Sequence, residues 1–320
     1  MQESHLGVPC LDHLPSPPDD KAGWPWTKQS GLLPGSSSDG SSWPKISVVT
    51  PSYNQGQFLE ETIRSVLLQG YPNLEYIVMD GGSTDATMDL LERYDPWIDH
   101  WVSEPDDGQS DAINKGFDRA TGDIYTWLNS DDYYAPDALG TMARAFSSCE
   151  DEVGAIVGKG HKVNEEGEIV YTPPDSELTR EAFLNWMNGG NFMQPACFFR
   201  PEAWEKAGPL RKDLEYTMDV DLWLKMIRRY QFKRIGDTIA YAYAHQGAKT
   251  TEDRERMRIQ QIVLVAEHGG TEIAHREAMS LADEFAQTAD ERDQMRRKIQ
   301  RVTSHPLYRL VRPFYNWFVR

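Results

Sequence analysis

The sequence predicts an α/β fold in which a mainly parallel sheet is flanked by helices. Short apolar runs rich in β-branched residues alternate with segments whose apolar residues recur at helical spacing, from Lys45 to about position 150. Each of the first four runs ends in a polar loop. Strands that alternate with helices need crossover connections, which make neighbouring strands parallel. With 320 residues, 39% of them hydrophobic, the chain is long enough to bury a full core.

The individual elements follow from local patterns. A stripe that includes Phe58, Ile63 and Val66 predicts a core-facing helix after the first strand, and Gly70 ends it. Ser83 is expected to cap the second helix. We expect strands at 46–50, 74–79, 100–103, 124–128, 153–158, 196–200, 232–236 and 239–243, a hairpin around 164–167, and helices ending near 69, 94, 120, 149, 187 and 227.

The polar loops after the first four strands are the first indication of a binding site. Their sequences are P-S-Y-N, D-G-G-S-T-D, E-P-D-D-G-Q and N-S-D-D. Because the carboxyl ends of parallel strands meet at one edge of a sheet, we expect these loops to form a single cleft. The carboxylates of Asp80 and Asp111 are suited to accept hydrogen bonds from a base or a sugar hydroxyl. Each loop taken alone also fits an ordinary turn.

Two groups of acids are candidates for chemistry. Asp131 and Asp132 follow the fourth strand, and neighbouring carboxylates repel each other, so the pair indicates a bound cation, a shared proton or a solvated turn. Asp219 and Asp221 precede the apolar stripe of a later helix, where the helix dipole also favours acids. A catalytic role requires one of these to face the first pair. The residues alone leave both interpretations open.

Charge and cysteine content narrow the class of function. The 50 acidic and 33 basic residues give a net charge of −17 and a pI near 4.9, which argues against a general nucleic-acid-binding protein. The three cysteines are scattered without metal-ligand spacing, so neither a disulfide framework nor a zinc site is expected. The sequence has neither the pattern of a signal peptide nor an apolar run of about 18 residues, and a cytoplasmic protein is expected.

The two ends of the chain differ from its middle. Residues 1–44 are rich in Pro, Ser and Gly and predict an extended arm, although Trp24, Trp26 and Trp43 indicate that part of it packs on the domain. A domain at 45–250 and a helical extension at 251–320 are expected to follow. Arginines alternate with aromatic residues from Pro306 onward, which predicts peripheral contact with the inner face of a membrane. A helix docked on the domain or on a second subunit is the alternative.

Five motifs follow one another along the chain. They are V-V-T-P-S-Y-N at 48–54, M-D-G-G-S-T-D at 79–85, N-K-G at 114–116, A-T-G-D-I with L-N-S-D-D at 120–132, and M-D-V-D-L-W-L-K at 218–225. In this order they resemble the motifs of glycosyltransferase family 2, the inverting nucleotide-sugar transferases. The resemblance covers roughly Lys45 to Thr250. It implies the A-type glycosyltransferase fold, built on a Rossmann-like sheet, and similarity to the transferases that build bacterial cell-surface polysaccharides.

The resemblance also implies roles for particular residues. Asn129 to Asp132 match the Asp-x-Asp stretch that holds the ribose and a divalent metal, so Asp131 and Asp132 are the implied ligands of Mg²⁺ or Mn²⁺, with Asp132 as the main one. Asp219 matches the acid that acts as general base. The implied donor-binding residues are Pro51, Ser52, Tyr53, Asp80, Gly81, Asp111, Asn129, Ser130 and Asp131.

The chemistry agrees with these roles. A nucleoside diphosphate gains negative charge as its bond to the sugar breaks, and a divalent cation on hard oxygen ligands neutralises it. The attacking hydroxyl is a weak nucleophile, so a carboxylate must accept its proton during a single in-line displacement. The resemblance, with which this chemistry agrees, implies metal-dependent, inverting transfer from a UDP-, GDP- or dTDP-linked sugar to a glycan or lipid-linked acceptor in cell-surface polysaccharide biosynthesis.

Two departures from the family pattern keep alternatives open. The family often has a second acid where Gly81 stands, and the first acid of its Asp-x-Asp stretch is Asn129 here. A catalytically degenerate protein that binds nucleotide sugars or glycans fits the same residues. A nucleotidyltransferase would be expected to carry a basic phosphate loop near the first strand, and P-S-Y-N-Q-G has no base. His245 fits a metal ligand or phosphate contact, although a lone histidine is more often packed or solvated.

Overall fold

The computed structural model describes residues 7–37, 40–189, 191–244 and 253–304. The chain divides into two compact units, Met1–Leu264 and Val265–Arg320. His245 and the tail from Pro306, for which a site contact and a membrane contact were predicted, lie outside the described residues. Within the described ranges, no helix combines the length and the apolar character needed to cross a bilayer.

A nine-stranded sheet with helices packed against it forms the first unit. Its elements are β1 (Ile46–Ser52), α1 (Gly56–Leu67), β2 (Leu74–Asp80), α2 (Thr87–Tyr94), β3 (His100–Ser103), α3 (Gln109–Phe117), β4 (Ile124–Trp127), β5 (Asp132–Tyr134), α4 (Ala138–Ser147), β6 (Val153–Val163), β7 (Ile169–Tyr171), α5 (Arg180–Leu184), β8 (Cys197–Phe199), α6 (Pro201–Ala207), α7 (Met218–Met226) and β9 (Gln231–Tyr243). Helices Arg254–Glu267 and Thr271–Ser304 follow.

The sheet has a parallel half and a mixed half. Its strand order is β3-β2-β1-β4-β8-β6-β9-β5, with β7 paired to β6. Strands β1 to β4 are parallel, which confirms the predicted architecture for the strands that carry the four polar loops. Beyond β4 the directions are mixed: β8 is antiparallel to both β4 and β6, β9 is parallel to β6, and β5 is antiparallel to β9. The predicted cleft edge is therefore the carboxyl edge of the parallel half.

Helix α1 shows why the parallel half is stable. Leu59, Ile63 and Val66 lie on one face of the helix and are fully buried in the main core cluster with Val48 of β1. Burial of one such side chain stabilises the fold by roughly 1.5–3 kcal/mol. Gly70 follows the helix with φ +62, and a Cβ there would lie 2.3 Å from the carbonyl oxygen of Gly31. Glycine is therefore required where the N-terminal arm passes the helix end.

Three predicted elements were wrong in detail. Asp132 does not lie in a loop but begins β5, whose backbone is held by Thr62 Oγ1, 2.7 Å from the Asp132 carbonyl oxygen, and by pairing with β9. The two predicted strands at 232–236 and 239–243 form the single strand β9, because a register shift against β6 absorbs Gly236. Ser83 does not cap α2, because the helix begins only at Thr87. The Thr87 N–H donates instead to the side chain of Asp85 at 3.1 Å.

The expectation that part of the N-terminal arm packs on the domain is confirmed. Trp26 and Trp43 are each 6% exposed, and the Trp24 indole donates a 2.7 Å hydrogen bond to the carbonyl oxygen of Tyr134. The fully buried guanidinium of Arg64 in α1 holds the same segment through its contacts with arm carbonyl oxygens. Residues 15–26 therefore pack on the unit that carries the sheet.

Candidate active site

The loops after β1 and β2 are joined into one rim by reciprocal hydrogen bonds. Asn54, at φ +52, donates its backbone N–H to Ser83 Oγ at 2.7 Å and accepts the Thr84 N–H on its side chain at 2.9 Å. The Gly56 N–H donates to Asp85 Oδ2 at 2.8 Å. These bonds fix the two loops relative to each other, so the rim is formed before any ligand binds.

Asp80 organises the β2 loop. Its buried carboxylate accepts hydrogen bonds from the Ser83 amide at 2.8 Å, the Gly82 amide at 3.1 Å, and the hydroxyls of Ser83 and Ser103 at 2.5 Å each. A carboxylate offers about four acceptor positions, so these bonds nearly saturate it. The structure thus places Asp80 at the predicted edge with most of its acceptor capacity used by its own loops.

The P-S-Y segment has a buried part and an exposed part. Pro51 and Ser52 are the last residues of β1 and are buried, whereas the Tyr53 side chain is 63% exposed. The Ser52 carbonyl oxygen accepts the Gly81 N–H at 2.8 Å, which brings the ends of β1 and β2 together. The Ser52 hydroxyl is 4% exposed and has no hydrogen-bond partner among the described residues. Tyr53 is therefore the accessible ring of this segment.

Asp111 lies in the first turn of α3 and is engaged by two lysines. Its carboxylate oxygens are 3.0 Å from Lys115 Nζ and 2.7 Å from Lys212 Nζ. The hydrogen bond from Lys212, the largest cause, and that from Lys115 lower the pKa of Asp111 to about 2. Leu210 is also tied to Asn114 through 2.8 and 2.9 Å hydrogen bonds. Asp111 therefore joins α3 to the 210–212 segment.

The N-S-D-D segment forms an amide and carboxylate corner at the end of β4. Asn129 accepts a 2.8 Å hydrogen bond from Gln109 and donates one of 3.0 Å to Asp132 Oδ2. Gln194 donates to the Trp127 carbonyl oxygen at 2.9 Å, which brings the start of β8 to the same corner. Ser130 is buried, and Asp131 is more exposed than Asp132.

Burial and the neighbouring Asp131 charge raise the pKa of Asp132 well above its ordinary value. A divalent cation would offset the repulsion between the two carboxylates and the unfavourable burial of the Asp132 charge, because it neutralises both groups. The described residues contain no group of three or more His, Cys, Asp or Glu side chains placed to hold a metal. A pair of carboxylates still fits Mg²⁺ or Mn²⁺, since these ions usually keep water and substrate phosphate oxygens among their ligands. Asp131 and Asp132 would therefore hold such a cation as its two protein ligands.

Asp219 is the second residue of α7, and two contacts relate this helix to the carboxyl end of β4. Cys197 of β8 is opposite the carboxyl end of β4, where its carbonyl oxygen accepts a hydrogen bond from Thr126 Oγ1 at 3.1 Å. Burial and then the charge of Asp219 raise the pKa of the Cys197 thiol, which places Asp219 near this strand end. One helical turn further along α7, Trp223 packs on Trp127. Asp219 therefore lies near Cys197, the residue of β8 beside the end of β4.

The environment of Asp219 favours proton exchange near neutral pH. Burial raises the pKa of Asp219 to about 6, and the 2.8 Å hydrogen bond from the Val220 amide partly opposes this shift. Asp221 is instead 2.6 Å from Lys225 Nζ, so the two acids of this turn have different surroundings. A carboxylate with a pKa near the working pH is suited to general acid–base chemistry.

Several polar residues of this edge were not predicted as site residues. Gln109 and Gln194 hold Asn129, and Lys212 holds Asp111 from a loop distant in sequence. Asp106 lies beside Gly81. Its loop was predicted to line the cleft, but Asp106 itself was not predicted as a site residue. Gln109 and Asp106 were visible inside the E-P-D-D-G-Q motif, whereas nothing in the local sequence signals Gln194 or Lys212.

Comparison with known proteins identifies the domain. Residues 47–205 match the model of glycosyl transferase family 2. An uncharacterized glycosyltransferase of Rickettsia typhi is 27% identical over 195 residues, which cover 58% of this chain and 59% of the relative. The putative teichuronic acid biosynthesis glycosyltransferase TuaG of Bacillus subtilis is 41% identical over 100 residues, or 30% of this chain and 39% of TuaG. The chain thus spans about three fifths or less of the length of these relatives.

Solved structures share the fold. Staphylococcus aureus TarS 1–349 in complex with UDP-GlcNAc superposes with a TM-score of 0.57 at 20% identity, covering 70% of this chain and 66% of TarS. The mannosyltransferase PcManGT of Pyrobaculum calidifontis in complex with GDP-Man and Mn²⁺ superposes with a TM-score of 0.53 at 19% identity, covering 89% of this chain and 86% of PcManGT. The family match over residues 47–205 identifies this part of the chain as a glycosyltransferase family 2 domain.

Proposed function

We propose that the protein transfers a sugar from a nucleoside-diphosphate sugar to a hydroxyl group of a glycan or lipid-linked acceptor, with inversion at the anomeric carbon. The observation that carries this proposal is Asp219, whose pKa is raised to about 6 at the edge where Asp131 and Asp132 follow β4. A base on one side of a site and paired acids at the leaving-group side are the arrangement that a single displacement needs.

Asp219 is the proposed general base. In its ionised form it accepts the proton of the acceptor hydroxyl as the oxygen attacks the anomeric carbon. Since the attack comes from the face opposite the departing diphosphate, the product has the inverted configuration. The protein supplies orientation through α7, which is anchored on β4 by Trp223 and Trp127.

Asp131 and Asp132 are the proposed ligands of Mg²⁺ or Mn²⁺, which supplies neutralisation of the charge that develops on the diphosphate. Asn129 orients the Asp132 carboxylate through its 3.0 Å hydrogen bond, and Gln109 fixes Asn129 in turn. The Mn²⁺ in the PcManGT complex and the UDP-GlcNAc in the TarS complex support a metal and a nucleotide sugar at this kind of site.

The remaining proposed residues hold the nucleotide. Pro51 to Tyr53 and the loop of Asp80 and Gly81 form the nucleobase pocket, with Tyr53 as the exposed ring. Asp111, Asn129 and Ser130 complete the donor side. UDP, GDP and dTDP are the proposed carriers, and the name of the relative TuaG supports a cell-surface polysaccharide as the product.

The proposed place of action is the cytoplasmic side of the membrane, where the basic aromatic tail from Pro306 contacts lipid. This proposal rests on the tail's sequence alone. Vesicle sedimentation of the full chain with anionic and neutral vesicles tests it, and equal recovery with both kinds would contradict it.

Calorimetric titration of UDP, GDP and dTDP, with and without Mn²⁺, is the first test. We expect binding of at least one nucleotide that depends on Mn²⁺ and is lost in Asp132→Ala. With the donor then known, Asp219→Asn should lower the transfer rate 10²- to 10⁴-fold while nucleotide affinity stays within about twofold.

Asp221→Asn is the matched control, because Asp221 lies in the same helical turn but is paired with Lys225. Its transfer rate should stay within about threefold of wild type. Full activity in Asp219→Asn would contradict the proposed base. Tight nucleotide binding without transfer to any acceptor in a glycan and lipid-linked panel would favour a binding protein that has lost turnover.

A further inference from the structure

We propose that the carboxylate of Asp106, supplied by the loop between β3 and α3, accepts the ring N–H of the nucleobase and makes the site selective for uracil, thymine or guanine. This inference rests on the proposed function, because it assumes that a nucleotide binds at the loops after β1 and β2. Asp106 does not belong to β1, β2 or the loops that follow them. The fold brings it to the rim that these two loops form.

The position of Asp106 relative to Gly81 is the central observation. A Cβ built on Gly81 would lie 2.9 Å from Asp106 Oδ2 and 3.2 Å from its Cγ. Gly81 itself is buried, and its N–H is bonded to the end of β1. The Asp106 carboxylate therefore occupies the space that a side chain at position 81 would fill.

The Asp106 carboxylate is held in this place. Its Oδ1 accepts the Gly108 N–H at 2.8 Å, while Oδ2 has no hydrogen-bond partner in the part of the chain that the structure describes. The preceding backbone is fixed by the 3.0 Å hydrogen bond from the Glu104 amide to the Asp80 carbonyl oxygen. Pro105 packs against Gly82, whose φ of +81 requires glycine. One carboxylate oxygen is thus fixed by the loop and the other is available to a ligand.

The neighbouring acids lack this capacity. The acceptor positions of Asp80 are nearly filled by Gly82, Ser83 and Ser103, and Asp111 is held by two lysines. Asp107 is paired with Lys212 at 3.0 Å and its side chain is 78% exposed. Of these four acids, Asp106 is the one that lies beside Gly81 with one carboxylate oxygen not bonded to a described residue.

A second polar atom next to Gly81 also awaits a partner. The Ser52 hydroxyl is 4% exposed and makes no hydrogen bond to any described residue, and Ser52 is bonded directly to the Gly81 amide. Buried hydroxyls without a partner are rare in folded proteins, because each costs about 1–3 kcal/mol. A bound nucleotide would satisfy Ser52 at the place where Asp106 offers its acceptor.

The chemistry of the acceptor predicts base selectivity. Uracil and thymine present a ring N–H at N3, and guanine presents one at N1 next to its amino group. Cytosine and adenine present a lone pair at the corresponding ring nitrogen, which a carboxylate repels. A site that hydrogen-bonds a ring N–H rejects a base without one because the carboxylate would stay desolvated and unpaired.

The test is calorimetric titration of the full chain in MnCl₂ with UDP, GDP, dTDP and CDP. We expect wild type to bind one or more of the first three at least tenfold more tightly than CDP. Asp106→Asn should weaken that binding about tenfold to hundredfold and reduce the discrimination against CDP, because an amide also donates to cytosine. Asp107→Asn, the neighbouring acid, is the matched control and should keep both affinity and discrimination.

Relocating the carboxylate gives a second test. The double variant Gly81→Asp with Asp106→Ala moves the acid to the vacated position and should recover most of the lost affinity, whereas Asp106→Ala alone should not. For wild type, UDP methylated at N3 should bind at least tenfold more weakly than UDP, a comparison that requires no variant to fold.

The outcomes separate the two proposals. Unchanged nucleotide affinity and unchanged discrimination against CDP in Asp106→Asn would overturn this inference while leaving the proposed function standing. Equal binding of UDP and its N3-methyl form by wild type would do the same if UDP is the nucleotide that binds. Wild-type protein that binds none of the four nucleotides would overturn the proposed function and this inference together.

Discussion

Trp223 of α7 stacks on Trp127 of β4, with ring centroids 5.4 Å apart and planes inclined by 14°. Both rings are at most 1% exposed, so this contact anchors α7 to the last strand of the parallel half. Because Asp219 precedes Trp223 by one helical turn, the same contact sets where the proposed base lies. This pair of rings thus links packing in the core to the position of the proposed base.

The first prediction concerns this pair. Trp223→Ala should lower the free energy of unfolding by about 3–5 kcal/mol, because it leaves a large cavity. Trp223→Phe should cost much less, since the indole N–H is buried without a partner among the described residues and its removal abolishes an unsatisfied donor. Urea denaturation measures both. Equal losses in the two variants would contradict this account of the indole.

The second prediction is the pH dependence of transfer. Burial raises the pKa of Asp219 to about 6, so the base is ionised above that pH and protonated below it. The rate at saturating donor should therefore fall about tenfold for each pH unit below 6 and level off above it. In Asp219→Asn the residual rate should lack this acid limb. An acid limb that persists unchanged in the variant would assign the titration to another group.

The third prediction concerns stability, and its sign is opposite to that of activity. The folded state holds a proton on Asp219 up to about pH 6, whereas the unfolded chain releases it near 3.8, so the free energy of unfolding falls as pH rises between these values. The full shift corresponds to roughly 3 kcal/mol at most. Asp219→Asn should therefore be more stable than wild type at pH 7.5 and about equal to it at pH 3.5. Chemical denaturation at the two pH values measures the difference, and a variant less stable at pH 7.5 would contradict it.

Local patterns were sufficient to predict the parallel half of the sheet. The stripe of Leu59, Ile63 and Val66 repeats at helical spacing, and its burial in the structure depends only on which face of α1 meets the sheet. The polar loops were predicted to meet because parallel strands place their ends at one edge. Asp80 and Asn129 were found in this way, since both directly follow an apolar strand or end it.

Features made by distant segments were not predictable from local sequence. The three residues of β5 form a strand because α1 and β9 supply their hydrogen-bond partners. The ion pair of Lys212 with Asp111 joins two loops whose approach depends on the whole fold. In the same way, the sequence shows only that Gly81 stands where the family often has an acid. The fold shows that the Asp106 carboxylate occupies the space beside Gly81.

The last prediction tests whether the N-terminal arm is part of the folded unit. Arg64 donates hydrogen bonds to the carbonyl oxygens of Pro15, Pro25 and Trp26 at 2.9 to 3.2 Å, and its guanidinium stacks over the Trp26 ring at 5.5 Å. Arg64→Met keeps an unbranched apolar stem but leaves these carbonyls without their donor. It should lower the free energy of unfolding by about 4 kcal/mol, at roughly 1 kcal/mol for each of these three bonds and for the bond that Arg64 donates to the Tyr94 hydroxyl.

Arg93→Met is the matched control for this prediction, because Arg93 is 48% exposed and only 3.8 Å from Glu60, which makes its ion pair worth well under 1 kcal/mol. Limited trypsin digestion distinguishes the two effects, since Lys21 and Lys28 flank the docked tryptophans. In Arg64→Met these sites should be cut faster than in wild type or Arg93→Met, while the sheet domain stays intact. Equal cleavage rates in all three proteins would mean that the tryptophans hold the arm without the buried guanidinium. Arg64 would then stabilise the contact between α1 and α2, through its hydrogen bond to the Tyr94 hydroxyl.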